Sequence, residues 1–232
     1  MAKLVLFDID GTLVLGAERE HFAALFLAVE GTYGIDDAER FDVDKAGRTD
    51  VEIARLVLER AGLAGETTGK RFDALEETWV EIYRQICPPD LSDRVSPSMP
   101  ELLSRLAGCD RARLGLLTGN LEEIAHLKLG RAGLATFFEN GIGAFGSDEE
   151  VRGMLPDVAR GRAGAGDEPW PRERTVLIGD TPRDIAAARS GGIRCVAVAT
   201  GPHGPAELAD ADAVARDVPE LERILLDLTG CG

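Results

Sequence analysis

Residues 4–7 form an unbroken apolar run, Leu-Val-Leu-Phe. It stops at two aspartates one residue apart, Asp8 and Asp10, followed by Gly11-Thr12. A strand that is apolar at consecutive positions is buried on both faces, which is the condition of a parallel sheet covered by helices. In an open sheet of that kind ligands bind beyond the carboxyl ends of the strands, so the pair stands on the ligand edge. Residues i and i+2 of an extended segment point to the same side. Two like charges held together there repel and raise a pKa unless something offsets them, and a divalent cation is the simplest offset. The rival reading is an Asp-Gly turn with no further role. The rest of the chain decides between them.

After Leu15 the pattern is helical for about seventy residues. Phe22, Leu25, Phe26, Val29 and Tyr33 share one helical face. Thr49-Asp50-Val51-Glu52 reads as a capping box, opening a second helix through Ile53, Val57, Leu58 and Ala61 that Gly62 can end. A third helix carries Phe72, Leu75, Trp79, Ile82 and Ile86, and Pro88-Pro89 stops it. From about residue 98 helices and strands alternate. Helices are predicted from Ser98, from Asn120, over 155–165 and over 219–228. Strands are predicted over 113–117, 175–178, 195–198 and 213–214. Thr181-Pro182-Arg183-Asp184 has the form of a helix cap. The expected fold is α/β: a Rossmann-like parallel sheet core, residues 1–15 and 90–232, with an inserted all-helical cap, residues 16–89. The first strand belongs in the middle of the sheet.

Composition limits the function classes. The chain has 232 residues, 44% of them hydrophobic, and a formal net charge of −15. That field disfavours nucleic acid and anionic membrane surfaces, and no apolar run reaches the roughly 18 residues that span a bilayer. Cys87, Cys109, Cys195 and Cys231 lack metal-ligand spacing and read as reduced thiols of a cytoplasmic protein, with Cys109 and Cys195 as apolar fillers. Oligomeric state is not legible.

Three predicted strands end in polar residues at one edge: Asp8–Asp10 after the first, Thr118-Gly119-Asn120 after the second, and Gly179-Asp180, with Asp184 four residues on, after another. A carboxylate pair, a hydroxyl with exposed amides before a helix N-terminus, and a further carboxylate make a coherent phosphate-plus-metal site.

With these motifs in this order, the chain resembles the haloacid dehalogenase-like hydrolase superfamily, in its phosphatase branch. The motifs stand as Asp8-Ile9-Asp10-Gly11-Thr12-Leu13, Leu117-Thr118-Gly119-Asn120 and Gly179-Asp180-Thr181-Pro182-Arg183-Asp184. The helical insertion after the first is similar to that of the phosphoglycolate phosphatase and β-phosphoglucomutase group. The resemblance implies hydrolysis of a small phosphorylated metabolite, phosphoglycolate being the foremost candidate. Asp8 is then the nucleophile, forming an aspartyl-phosphate, and Asp10 the acid/base. Mg²⁺ is held by Asp8, the backbone carbonyl of Asp10, and Asp180. Thr118, Gly119 and Asn120 hold the phosphoryl group, and Asp184 orients a metal water or a basic side chain. The physics of phosphoryl transfer agrees, since positioning and charge neutralisation dominate it.

One departure matters. The family normally has a Lys between the second and fourth motifs, and this chain has none from Gly130 to Gly179. Lys128 lies two turns inside the helix from Asn120 and reads as solvated. Arg152 is the expected substitute, as Arg neutralises phosphate and binds it bidentately. In the cap, Arg48 before the second helix is a candidate for a carboxylate or second phosphate on the substrate, with Lys45 behind it. His21 reads as a half-exposed helix residue, although it is close enough in sequence to face the site. His126 and His203 have no partner spacing, and Trp79 reads as cap core. The alternatives are a β-phosphoglucomutase-like phosphotransferase and a non-catalytic binding module. Asp10 argues against a dehalogenase or a phosphonatase.

Overall fold

The computed structural model describes all 232 residues. Strand β1 (Lys3–Phe7) is followed by three helices, α1 (Glu18–Tyr33), α2 (Asp50–Arg60) and α3 (Lys70–Ile86). Then come α4 (Met99–Ala107), β2 (Ala112–Leu117), α5 (Glu122–Arg131), β3 (Gly143–Ala144), α6 (Leu155–Ala163), β4 (Thr175–Gly179), α7 (Pro182–Gly191), β5 (Arg194–Val198), β6 (Ala213–Ala215) and α8 (Val218–Thr229). The six strands form one sheet in the order β3-β2-β1-β4-β5-β6, and every pairing is parallel. This is the expected α/β architecture with β1 inside the sheet. Its neighbours β2 and β4 deliver the other two motifs to the same edge.

Burial follows strand alternation. Val5 and Phe7 enter one apolar cluster, continuous with Leu25, Ile53 and Trp79 of the three inserted helices. Leu4 and Leu6 point the other way, into a second cluster with Leu177, Leu155 and Ile185. The first strand is therefore buried on both faces, as its composition requires. Trp79 is fully buried, and its Nε1 donates to the His21 carbonyl at 3.0 Å.

Four expectations need correction. Strand β3 went unforeseen because two residues have no periodicity. Helix α5 starts at Glu122 rather than Asn120, because the Asn120 side chain is used elsewhere. The capping box at α2 is only half formed: Thr49 Oγ1 accepts from Glu52 N at 3.2 Å, but the Glu52 carboxylate turns to Arg48. Finally, Cys109 and Cys231 form a disulfide rather than remaining thiols, with Cα atoms 5.9 Å apart across a separation of 122 residues. Cys87 and Cys195 are free and buried. No helix is long and apolar enough to cross a membrane.

Candidate active site

The Asp8-to-Thr12 turn is built around close packing. Gly11 has φ +78°, a conformation that side-chain-bearing residues rarely adopt. A Cβ there would meet the Asp180 carboxylate at 2.3 Å. Gly201 approaches the same carboxylate from another side, where a Cβ would lie 1.7 Å from Oδ2. Thr12 Oγ1 donates to Asp180 Oδ1 at 3.2 Å, and Thr200 Oγ1 donates to the Gly11 carbonyl at 2.7 Å. Two glycines and two threonines thus set the carboxylate that ends β4 beside the one that ends β1.

Asp8, Asp180 and Asp184 are all buried and offer oxygens within 4.8 Å of one another. Arg152 is their cationic partner: Nη2 lies 3.2 Å from Asp8 Oδ1 and 2.5 Å from Asp184 Oδ1. Burial, reinforced by the neighbouring carboxylates, raises the pKa of both Asp8 and Asp180, with Arg152 opposing. Three carboxylates against one guanidinium leave two negative charges unmatched. An all-oxygen donor set with that deficit fits a hard divalent cation. Asp184 is already committed: besides Arg152 it accepts from Thr181 N at 3.0 Å and Thr181 Oγ1 at 2.7 Å in a full capping box at α7. Asp8 and Asp180 keep more free valence. Arg152 lines the cavity, and its Nε is buried without a partner.

Asp10 faces a different set. Lys128, expected in solvent, is fully buried. Its Nζ contacts Asp10 Oδ1 at 2.7 Å and Oδ2 at 2.6 Å, Asn120 Oδ1 at 2.6 Å and His21 Nδ1 at 2.8 Å. Asn120 Nδ2 also donates to Asp10 Oδ2 at 2.8 Å, and because Oδ1, the atom a cap would use, accepts from Lys128, Asn120 does not cap α5. Burial works against ionisation of Asp10, but Lys128 and then His21 outweigh it and hold its carboxyl below the ordinary range. Lysine only donates, so His21 Nδ1 accepts, and the proton of a neutral His21 sits on Nε2. That atom lies 3.0 Å from Asp50 Oδ2, at ion-pair distance but outside hydrogen-bond alignment. His21 is buried rather than half-exposed. Asp50, at the start of α2, also accepts from Leu121 N at 2.7 Å, and Asp50 N donates to the Gly119 carbonyl at 2.7 Å.

Thr118 is fully buried, and its hydroxyl accepts from Asn120 N at 3.3 Å and Asn120 Nδ2 at 3.1 Å. The cavity wall here is Gly119 and Asn120, not Thr118. Of the two amides expected to be exposed, Asn120 N is bonded to Thr118, and Gly119 N makes no bond within the protein. Arg48 reaches the cavity, but its guanidinium is ion-paired with Glu52, and Nε donates to the Asp44 carbonyl at 2.9 Å. Lys45 is ion-paired with Asp42. His126 and His203 lie near Glu122 and Glu207, away from the site. The residues that sequence reasoning missed are Lys128, His21, Asp50, Thr12, Thr200 and Gly201. A signal existed for Lys128 and His21. Lys128 follows the buried Ile124 by four residues, and His21 precedes the buried Leu25 by four, so both stand on apolar helix stripes.

A family model for haloacid dehalogenase-like hydrolases matches residues 2–192. A phosphoglycolate phosphatase of Rhodospirillum rubrum is 28% identical over 205 residues, 87% of this chain and 81% of that protein. A validoxylamine A 7'-phosphate phosphatase of Streptomyces hygroscopicus subsp. limoneus is 28% identical over 224 residues, 95% of this chain and 96% of the other. Among solved structures, a β-phosphoglucomutase of Clostridium difficile shares the fold with a TM-score of 0.74 at 18% identity, covering 99% of this chain and 98% of that one.

Proposed function

We propose, because the chain belongs to the haloacid dehalogenase-like hydrolase family, that it is a Mg²⁺-dependent phosphoric monoester hydrolase acting on a small phosphorylated metabolite. The observation that carries this reading is the convergence of Asp8, Asp180, Arg152 and the free Gly119 amide on one end of a single cavity. Its relatives include enzymes named as phosphatases, and phosphoglycolate, named for one of them, is the first ester to test.

In this reading Asp8 Oδ attacks phosphorus, and the bond from phosphorus to the leaving oxygen breaks. Asp10 protonates that oxygen. Water then attacks the acyl phosphate, Asp10 takes its proton, phosphate departs, and Asp8 is regenerated. Lys128 keeps Asp10 ionised, the form that the second step requires, and the proton gained there serves the next leaving group. Asp8, Asp180 and the Asp10 carbonyl would hold Mg²⁺, whose bound charge neutralises the phosphoryl oxygens. Arg152 and the Gly119 amide supply the protein's own share of that neutralisation, and Asp184 fixes the direction of Arg152. The second phosphate of a β-phosphoglucomutase reaction finds little support, since the charge of Arg48 is already answered by Glu52.

The test is a panel of phosphomonoesters with and without Mg²⁺. Phosphate release that requires Mg²⁺ and is abolished by Asp8→Asn is expected. Metal binding without release across the panel would favour a non-catalytic module.

A further inference from the structure

The cavity that opens onto Asp8 holds about 1040 Å³, at the upper end for drug-sized ligands and far more than a two-carbon leaving group fills. Its two ends differ in charge. At the floor, Arg152 is nine-tenths buried with Nε unpartnered, which suits an anion. The outer wall, supplied by α1, α2 and the segment between them, carries seven carboxylates against three cations.

Most of these charges are spent inside the protein. Asp42 answers Lys45, Glu52 answers Arg48, Asp44 answers Arg183, Asp50 accepts from Leu121 N, and Glu30 accepts from Ala38 N at 2.9 Å. Glu18 remains. It stands in the first turn of α1, half-buried on the cavity wall within the field of Asp10, and no side chain pairs with it. Beyond it on α1, Phe22 and Phe26 present ring faces over which the Lys45 ammonium sits, 5.0 and 5.8 Å from the centroids. This wall already seats one ammonium by the ordinary cation–π attraction.

We propose that the leaving group of the substrate bears a protonated amine and no second anion, and that Glu18 pairs with the amine. A zwitterionic ester matches the cavity at both ends: phosphate toward Arg152, ammonium toward Glu18. A carboxylated ester such as phosphoglycolate would set like charge against the outer wall, and such juxtaposition is strongly disfavoured. The inference rests on the phosphatase reading for the orientation of the phosphate, and on the charges of the wall for the rest.

Matched esters that differ in charge provide the test. Para-nitrophenyl phosphate reports the hydrolase reading alone. Phosphoethanolamine against phosphoglycolate, and glucosamine 6-phosphate against 6-phosphogluconate, report the wall. Each amine ester is expected to exceed its carboxylate partner about tenfold or more in kcat/KM, and Glu18→Gln is expected to shrink that ratio severalfold. The same four ligands titrated calorimetrically into the Asp8→Asn protein with Mg²⁺ give the ranking by Kd without turnover. Hydrolysis of para-nitrophenyl phosphate with the carboxylates equal to or ahead of the amines overturns the inference and leaves the hydrolase reading standing. Absence of all turnover overturns the hydrolase reading, and the calorimetric ranking then decides the inference alone.

Discussion

Lys128→Met isolates the least expected contact in the site. The substitution keeps an unbranched stem and deletes the ammonium, which leaves the Asp10 carboxylate, Asn120 Oδ1 and His21 Nδ1 without their shared donor. Removing one partner of a buried ion pair costs about 3–5 kcal/mol, because the remaining charge stays uncompensated. Lys128 is fully buried, while the Asp10 side chain retains 20% exposure. Water can therefore take up part of the orphaned charge, and the lower end, about 3 kcal/mol, is expected. In a chain of this length each kcal/mol moves Tm by about 2–4 °C, so Tm falls by about 6–12 °C. The assay is scanning calorimetry at pH 7 on the parent, Lys128→Met, Asp10→Asn and the double variant. Neutralising Asp10 removes the orphaned charge, so the double variant is more stable than the sum of the single losses allows, by about 0.5–3 kcal/mol. A Lys128→Met protein within about 2 °C of the parent, or strictly additive losses, would refute the buried pair.

Gly119→Ala tests the seating of the loop before α2. A Cβ at residue 119 would stand 2.1 Å from the Arg48 carbonyl oxygen and 2.9 Å from Arg152 Nη1. One of these must move by roughly 1 Å, a displacement that costs about a hundredfold in rate when it reaches the reacting groups. Overpacking adds about 1–3 kcal/mol of instability, and kcat/KM within twofold of the parent would show that the loop has no such contact in solution. Glu20→Gln tests the pair of α1 with Arg94, whose guanidinium donates to Glu20 at 2.9 and 3.0 Å. The Arg94 hydrogen bond holds the Glu20 carboxyl below its ordinary 4.5. The pair therefore stabilises fully above about that pH, and the contribution disappears as pH falls through the lowered value. Being partly exposed, it contributes about 0.2–1 kcal/mol; the Tm difference between parent and variant should be present at pH 7 and close on acidification, whereas a pH-independent difference would contradict the assignment.

The parts of the molecule that could be read from sequence are those where one local pattern has one outcome. The run from Leu4 to Phe7 can only be a doubly buried strand, and the Thr181–Asp184 cap forms as its spacing requires. Arg152 does stand between Asp8 and Asp184. Lys128 and His21 failed the other way. A charged or polar side chain on a helix is ordinarily solvated, and here each is buried only because the other, with Asp10 and Asn120, completes its bonding from a distant part of the chain. Arg48 lines the cavity, but its pairing with Glu52 depends on the rotamers of the folded helix. Cys109 and Cys231 meet across 122 residues, a distance at which spacing carries no information.

The position of Asp180 is defined less by attraction than by vacancy. One side-chain hydroxyl bonds it, while the backbones at Gly11 and Gly201 stand so close that neither could carry even a methyl group. A carboxylate confined between walls tolerates the loss of a bond better than the arrival of an atom. The site should thus accept polar substitutions around Asp180 more readily than any enlargement of the two glycines. Its precision is a property of side chains that are not there.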